Sequence, residues 1–304
     1  MNARQRGVAI VLAMGVMALA AIAATAIAVS QSTWSRRNAL ASEHVQAQAM
    51  LGAGVDWARA VLSDDRRASG DVDHLGEPWA LRLSPIPIDN GELTGHIEDA
   101  QAKFNLNNLV SGGKVDIEQL ENFQRLLSVL GLPAELADAL VDWVDADGEP
   151  QDGAEDGYYL ALDPPYLAAN RPLADVEELA LVRGFDASVR ARLRPFVTAL
   201  PRFTPVNVNT APPEVIAAIV KGMDIDMARA FALERDRAYF RGPAEFYNRL
   251  PNGTSSGKME NVASNSQYFI ATLRVKIGDA QARGTALLAH SSFGWPAVVW
   301  RKIS

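Results

Sequence analysis

The 304-residue sequence predicts an α+β fold: a long N-terminal helix packed on an antiparallel sheet, with a large all-α domain inserted between the strands of that sheet. Three observations predict it. Residues 1–62 contain no proline and pass from an apolar run into a helical pattern. Five short alternating segments follow, two before and three after a long middle. The middle repeats helix, glycine hairpin and helix three times. The resulting division is 1–7 leader, 8–29 and 30–62 the two halves of the helix, 63–102 with 264–304 the sheet-bearing head, and 103–263 the insert.

No charge occurs between Arg6 and Arg36. At about 1.5 Å per residue, residues 8–29 make a helix of roughly 33 Å, enough to cross a hydrocarbon core. Arg4 and Arg6 precede the span and should stay cytoplasmic, so the rest of the chain faces outward. Three readings fit this segment. A secretory signal cut near Ala24 to Ala28 is one, although its apolar core is usually shorter. A plain signal anchor is the second. The third rests on Arg4-Gln5-Arg6-Gly7 standing directly before the apolar run. Beyond the span, Trp34, Ala41, Val45, Gln48, Gly52 and Val55 recur at steps of three to four, an amphipathic stripe that extends the rod. A cleaved secretory signal has no need of such an extension.

Ser63 to Gly76 is polar and reads as a loop. Glu77 to Leu83 and Glu92 to Asp99 alternate as strands, the second following an Asp89-Asn90-Gly91 turn. Gln267 to Ile277, Thr285 to His290 and Ala297 to Ile303 complete the sheet. Within the insert, helices 118–130 and 134–144 flank Gly131-Leu132-Pro133. Helices 176–182 and 187–200 flank Gly184-Phe185-Asp186, and helices 213–220 and 227–238 flank Gly222-Met223-Asp224. These are units of SAM or helix-hairpin-helix form. Asparagines in Phe104-Asn105-Leu106-Asn107 and Val206-Asn207-Val208-Asn209-Thr210 are placed to cap the helices that follow.

Composition narrows the function. The net charge of −7 does not suit a protein that wraps nucleic acid, and the absence of cysteine rules out disulfides and thiolate chemistry. His44, His74, His96 and His290 lack metal-ligand spacing and read as surface or hydrogen-bonded residues. Between Arg125 and Arg171 there are ten acids and no lysine or arginine. The densest part runs from Asp142 to Tyr159. Asp145-Ala146-Asp147-Gly148 resembles the first half of a calcium loop, and Glu155-Asp156 can close the shell, although EF-hand spacing is absent. The spacing selects Asp145, Asp147, Asp152, Glu155 and Asp156 as calcium ligands. The alternative is a solvated acidic loop with Asp142 and Asp145 at a helix end; Tyr158, Tyr159 and Tyr166 argue for a packed segment.

The residues around Gly7 resemble the processing site of type IV prepilins and type II secretion pseudopilins. The resemblance implies cleavage between Gly7 and Val8 by a prepilin peptidase, N-methylation of Val8, and a type IV pilin-like head. Most members carry glutamate at the fifth mature position; here it is Leu12, as in the minor pseudopilin K family of type II secretion systems. Asp142-Trp143-Val144-Asp145-Ala146-Asp147, Gly153-Ala154-Glu155-Asp156, Asn105-Leu106-Asn107-Asn108-Leu109 and Val206 to Pro212 are also similar to that family. The likeness implies a tip subunit of the pseudopilus that binds calcium in its insert. It also implies partnership with minor pseudopilins I and J and the major pseudopilin, and contact with secreted substrates or the outer-membrane secretin.

One rival remains from another class. Val206 to Ala211 followed by a glycine hairpin also resembles competence-type helix-hairpin-helix modules, which would make this a membrane-anchored periplasmic DNA-binding protein. Such hairpins bind phosphate through backbone amides. Asp186 and Asp224 stand where a second glycine is expected and would repel phosphate. No Gly-x-Ser-x-Gly, Walker or His-Glu-x-x-His motif occurs, so no enzyme is expected.

Overall fold

The computed structural model describes residues 3–82, 84–146, 154–290 and 294–304, with side chains from Ile10 onward except Ser69. Helix α1 spans Ala3–Ser69. It continues past the expected stop at Leu62, because nothing breaks it before Gly70, whose φ is +78°. Ser63 and Asp65 turn inward on these last turns, while Asp64 pairs outward with Arg67 at 3.2 Å.

The sheet has five antiparallel strands in chain order: β1 (Ile86–Ile88), β2 (Gly91–Asp99), β3 (Tyr268–Ile277), β4 (Ala280–Ala289) and β5 (Ala297–Ile303). The first strand is misplaced in the sequence reading. Residues 77–83 do not form one; Pro78–Ala80 is a 3₁₀ turn, held by Glu77 Oε2 accepting from His74 N and Trp79 Nε1. The true β1 carries Pro87, which is tolerated because this strand is an edge of the sheet. Strand β4 begins at Ala280, earlier than Thr285, since its small residues Ala280 and Ala282 alternate inward.

One face of the sheet covers α1. Ala47, Leu51, Gly54, Ala58 and Leu62 form the buried stripe, at the helical steps of three and four. Close approach needs small residues: a Cβ at Gly54 would stand 3.0 Å from Leu273 Cδ1, and one at Gly95 would stand 2.6 Å from its Cδ2. The expected stripe is therefore rotated. Trp34 and Val45 are each 67% exposed.

The packing also fixes direction. Ala47 and Leu51 meet Leu273, Val275, Ile277 and Ala282, whereas Ala58 and Leu62 meet Phe269, Ala271, Ala286 and Leu288. Since Ile277 pairs with Gly91 and Phe269 with Asp99, α1 runs toward the Asp99 end of the sheet. The insert leaves from that end after Asp99 and returns there at Tyr268. It thus sits at the end of the head farthest from the apolar start of α1.

The insert is two lobes with two cores, one built from Phe104 to Val197 plus Ala218 of the second lobe, and one from Val206 to Val262. The first holds α2 (Ile117–Val129), α3 (Leu136–Val144), α4 (Asp156–Tyr159) and α5 (Ala187–Leu193). The second holds α6 (Pro213–Ile219), α7 (Ile225–Arg237) and α8 (Pro243–Arg249), and α2 packs on α6 to join them. The all-α expectation needs correction, because a parallel two-residue pairing closes each lobe: Phe104 with Val197, and Val206 with Val262. Residues 176–181 form a 3₁₀ helix in place of the expected α-helix, capped by Asp175 accepting from Glu177 N. Helix α5 stops at Leu193: Arg194 is its C-cap, still helical, and Pro195 follows without an N–H to extend the ladder. Ala100 and Leu200 pack with Tyr268 and Leu287 on the second face of the sheet, which fastens the insert to the head.

Candidate functional site

Each hairpin glycine has a positive φ: Gly131 at 62°, Gly184 at 84° and Gly222 at 84°. The apolar residue after each, Leu132, Phe185 and Met223, is buried. Asp186 accepts a hydrogen bond from Val189 N and caps α5; Asp224 accepts one from Met227 N and caps α7. These carboxylates occupy helix N-terminal amides that a phosphate would otherwise use. The hairpins are packing devices, and the DNA-binding reading lacks support in them.

The asparagines do more than cap. Asn105 caps only the 3₁₀ turn Leu106–Leu109, while Asp116 caps α2. Asn105 donates to Arg202 O and Thr204 Oγ1, Asn107 donates to Leu173 O and Leu200 O, and Asn108 donates to Thr204 O. In the second lobe Asn209 donates to Phe240 O and Ser264 O. Short amides in both lobes tie distant loops together, a role that local spacing cannot reveal.

In the acidic segment, α3 ends with Asp142 fully buried and Asp145 as its C-cap at 2% exposure. Glu155, 8% exposed, precedes α4. The same stretch carries an aromatic cluster: Trp143 meets Tyr159 edge-on at 5.0 Å, and Tyr159 lies 5.3 Å from Tyr166. Burial pushes the Tyr159 phenol up to about 12, although Arg183 N donates to its hydroxyl. Asp156 is partly buried, and its Oδ1 accepts from Ala168 N. Of the five expected ligands, Asp145 and Glu155 are buried and Asp156 braces the chain at Ala168. Asp147 and Asp152 lie outside the described residues. Among the described residues, Asp145 stands at a helix end, as the solvated-loop alternative expects, but it and Glu155 are buried and not solvated.

A second acidic group escaped the sequence reading. Asp65 on the last turns of α1 meets Asp73 and Glu77 from the segment that follows, and one ligand oxygen from each lies within 4.8 Å of the others. Their spacing in sequence matches no motif; only the continuation of α1 past Leu62 brings them together.

At the other end, α1 is long and apolar enough to cross a membrane, and its most apolar stretch is wholly exposed in the isolated chain. The segment fits a single-pass membrane anchor. Leu12 lies on it, 67% exposed, and the Gly7–Val8 bond falls within α1.

Two profiles of the family described as "Type II secretion system (T2SS), protein K" match residues 102–202 and 206–265, close to the two lobes. The type II secretion system protein K of Pseudomonas aeruginosa is 39% identical over 292 residues, covering 92% of this chain and 87% of that protein. That of Klebsiella pneumoniae is 33% identical over 304 residues, covering 95% and 93%. Among solved structures, a chain of the GspK-GspI-GspJ complex from the enterotoxigenic Escherichia coli type 2 secretion system matches with a TM-score of 0.78 at 26% identity. That match covers 88% of this chain and 99% of that one. With a long N-terminal helix, an antiparallel sheet and this likeness across nearly its whole length, the chain belongs to the type II secretion system protein K family.

Proposed function

We propose that this minor pseudopilin occupies the tip of the secretion pseudopilus, where it starts assembly with minor pseudopilins I and J and blocks further growth beyond itself. One observation carries the reading: the insert projects from the Asp99 end of the head, opposite the apolar start of α1. In a filament of parallel helices, another subunit would have to seat its head at that end. The insert occupies it. The helix-on-sheet head supports a type IV pilin-like description, and the paired helices around Gly131, Gly184 and Gly222 support helix-hairpin-helix or SAM-like lobes.

The exposed part of α1 supplies the lateral contact. Trp34, Leu40 and Val45 lie outside the face that meets the sheet, available to helices of I, J and the major pseudopilin. A prepilin peptidase would cut after Gly7 and methylate Val8, leaving the head in the periplasm. Leu12 in place of a carboxylate removes both a buried charge and its contact with a neighbour's amino terminus, which suits a subunit with fewer neighbours. The role is mechanical, in support of export of folded substrates through the secretin.

Calcium belongs in the acidic segment on this reading. Asp145 and Glu155 are buried in an acid-rich segment, and their donor atoms are the hard oxygens that calcium takes. A bound ion would neutralise the loop and stiffen the first lobe. Co-expression of this chain with I and J of the same bacterium tests the assignment: a detergent-stable ternary complex, and a mature chain beginning at N-methylated Val8, are expected. Failure to co-purify with either partner contradicts it.

A further inference from the structure

At the junction of α1, the head and the insert, the three carboxylates of Asp65, Asp73 and Glu77 converge. Two oxygens that share an ion at about 2.4 Å can be at most about 4.8 Å apart. One oxygen from each carboxylate lies within 4.8 Å of the other two, which meets that requirement. Asp65 is 7% exposed and Glu77 is 3% exposed.

Each ligand is held in place. Glu77 Oε2 accepts from His74 N at 2.9 Å and Trp79 Nε1 at 2.8 Å, which fixes the carboxylate. Its Oε1 is sealed from solvent and makes no hydrogen bond among the described residues; His74 Nε2 stands 4.0 Å away. That imidazole is itself fixed, since its Nδ1 accepts from Gly76 N and its ring stacks on Tyr239 at 4.0 Å. Asp73 Oδ2 accepts from Ser266 N at 2.7 Å, and Asp73 N donates to Ser264 O.

Behind them lies a fourth acid of a different kind. Asp99 Oδ2 accepts from Asn207, Thr210 and Ser266, and its Oδ1 accepts from Gln101 N. Neutral donors satisfy Asp99 without an ion, although burial still holds its carboxyl above the usual carboxylate range. Burial raises the Asp73 carboxyl to about 7 against the opposing Ser266 N–H, helped by the charges of Asp99, Glu77 and Asp65. The nearby Arg66 turns outward to Asp71.

From this geometry we infer a divalent-cation site at Asp65, Asp73 and Glu77 that takes calcium and clamps the end of the stalk helix to the head and insert. Three hard carboxylate donors favour calcium over softer transition metals, with water or backbone carbonyls completing the shell. Asp73 is part of the clamp on the far side too, because Asn207 of the insert donates to its carbonyl oxygen. The site is separate from the acidic segment at 142–159 and does not depend on the tip assignment.

The test uses the full-length chain in detergent micelles, stripped with EGTA and titrated with calcium chloride to millimolar levels. A D145N/E155Q background removes the proposed ligands of the other segment. In that background, one calcium equivalent should remain and should raise the melting temperature by several degrees. Adding D73N and E77Q should abolish both effects, while raising the melting temperature in EGTA because buried repulsion is relieved. D73N alone serves if the double change does not fold, with calcium affinity expected to fall at least on the order of tenfold. H74Q should leave calcium binding intact. Calcium-independent melting of the D145N/E155Q chain, a lower EGTA melting temperature on adding D73N and E77Q, or loss of calcium binding in H74Q would overturn the site.

Discussion

Single residues in this chain are often decided by what surrounds them. Gly222 is the clearest case: its φ is +84°, and a Cβ there would lie 2.9 Å from the carbonyl oxygen of Gly253. Gly222→Ala should therefore cost about 1–3 kcal/mol, read as a lower midpoint in chemical denaturation. The hairpin glycines are legible in the sequence, since few other residues accept that geometry. His290 is not, because its environment is tertiary. Burial against Phe269, with Arg66 near, lowers its imidazole from 6.5 to about 4. Below pH 6.5 the unfolded chain takes up a proton that the folded chain refuses. Its contribution to stability is thus full above 6.5 and is lost as pH falls toward about 4. Melting temperatures of the calcium-free chain across that window should fall more steeply than those of His290→Gln; parallel curves would remove His290 from the account.

Elements show where pattern reading works and where it fails. Strands β2, β3 and β5 follow from alternation, and α2, α6 and α7 follow from apolar spacing between glycine hairpins. Strand β1 was hidden by Pro85 and Pro87, which read as loop residues unless the strand is known to be an edge. The stripe on α1 was misread because alanine and glycine carry little hydrophobic signal, yet they allow the closest packing. Ala47, Gly54 and Ala58 meet the sheet, while Trp34 and Val45 face away. The two faces should separate experimentally. Ala47→Leu overfills a packed site and should cost about 1–3 kcal/mol in the chain alone. Trp34→Ala with Val45→Ala should leave that stability unchanged and weaken co-purification with minor pseudopilins I and J. The reverse pattern would reassign the faces. The cluster at Asp65, Asp73 and Glu77 was invisible for a related reason: a polar stretch that reads as loop continues the helix and turns one of its acids inward.

At the scale of the whole molecule, the order of parts in the sequence becomes an order in space. The membrane half of α1 comes first, the head is strung along its second half, and the insert emerges from the strand ends beyond. The broad architecture was legible because the insert interrupts the sheet between β2 and β3. The end from which it projects was not, because that depends on the register of β2 with β3 and on which residues of α1 meet Phe269. On the proposed reading, a subunit built this way starts a filament at its top and leaves no seat above itself. The most direct measurement is the position of the insert on isolated pseudopili. An epitope placed in the exposed Gly112-Gly113 turn, labelled with gold and viewed by electron microscopy, should mark one end of each filament and nothing else. Label spaced along the filament length would contradict the account.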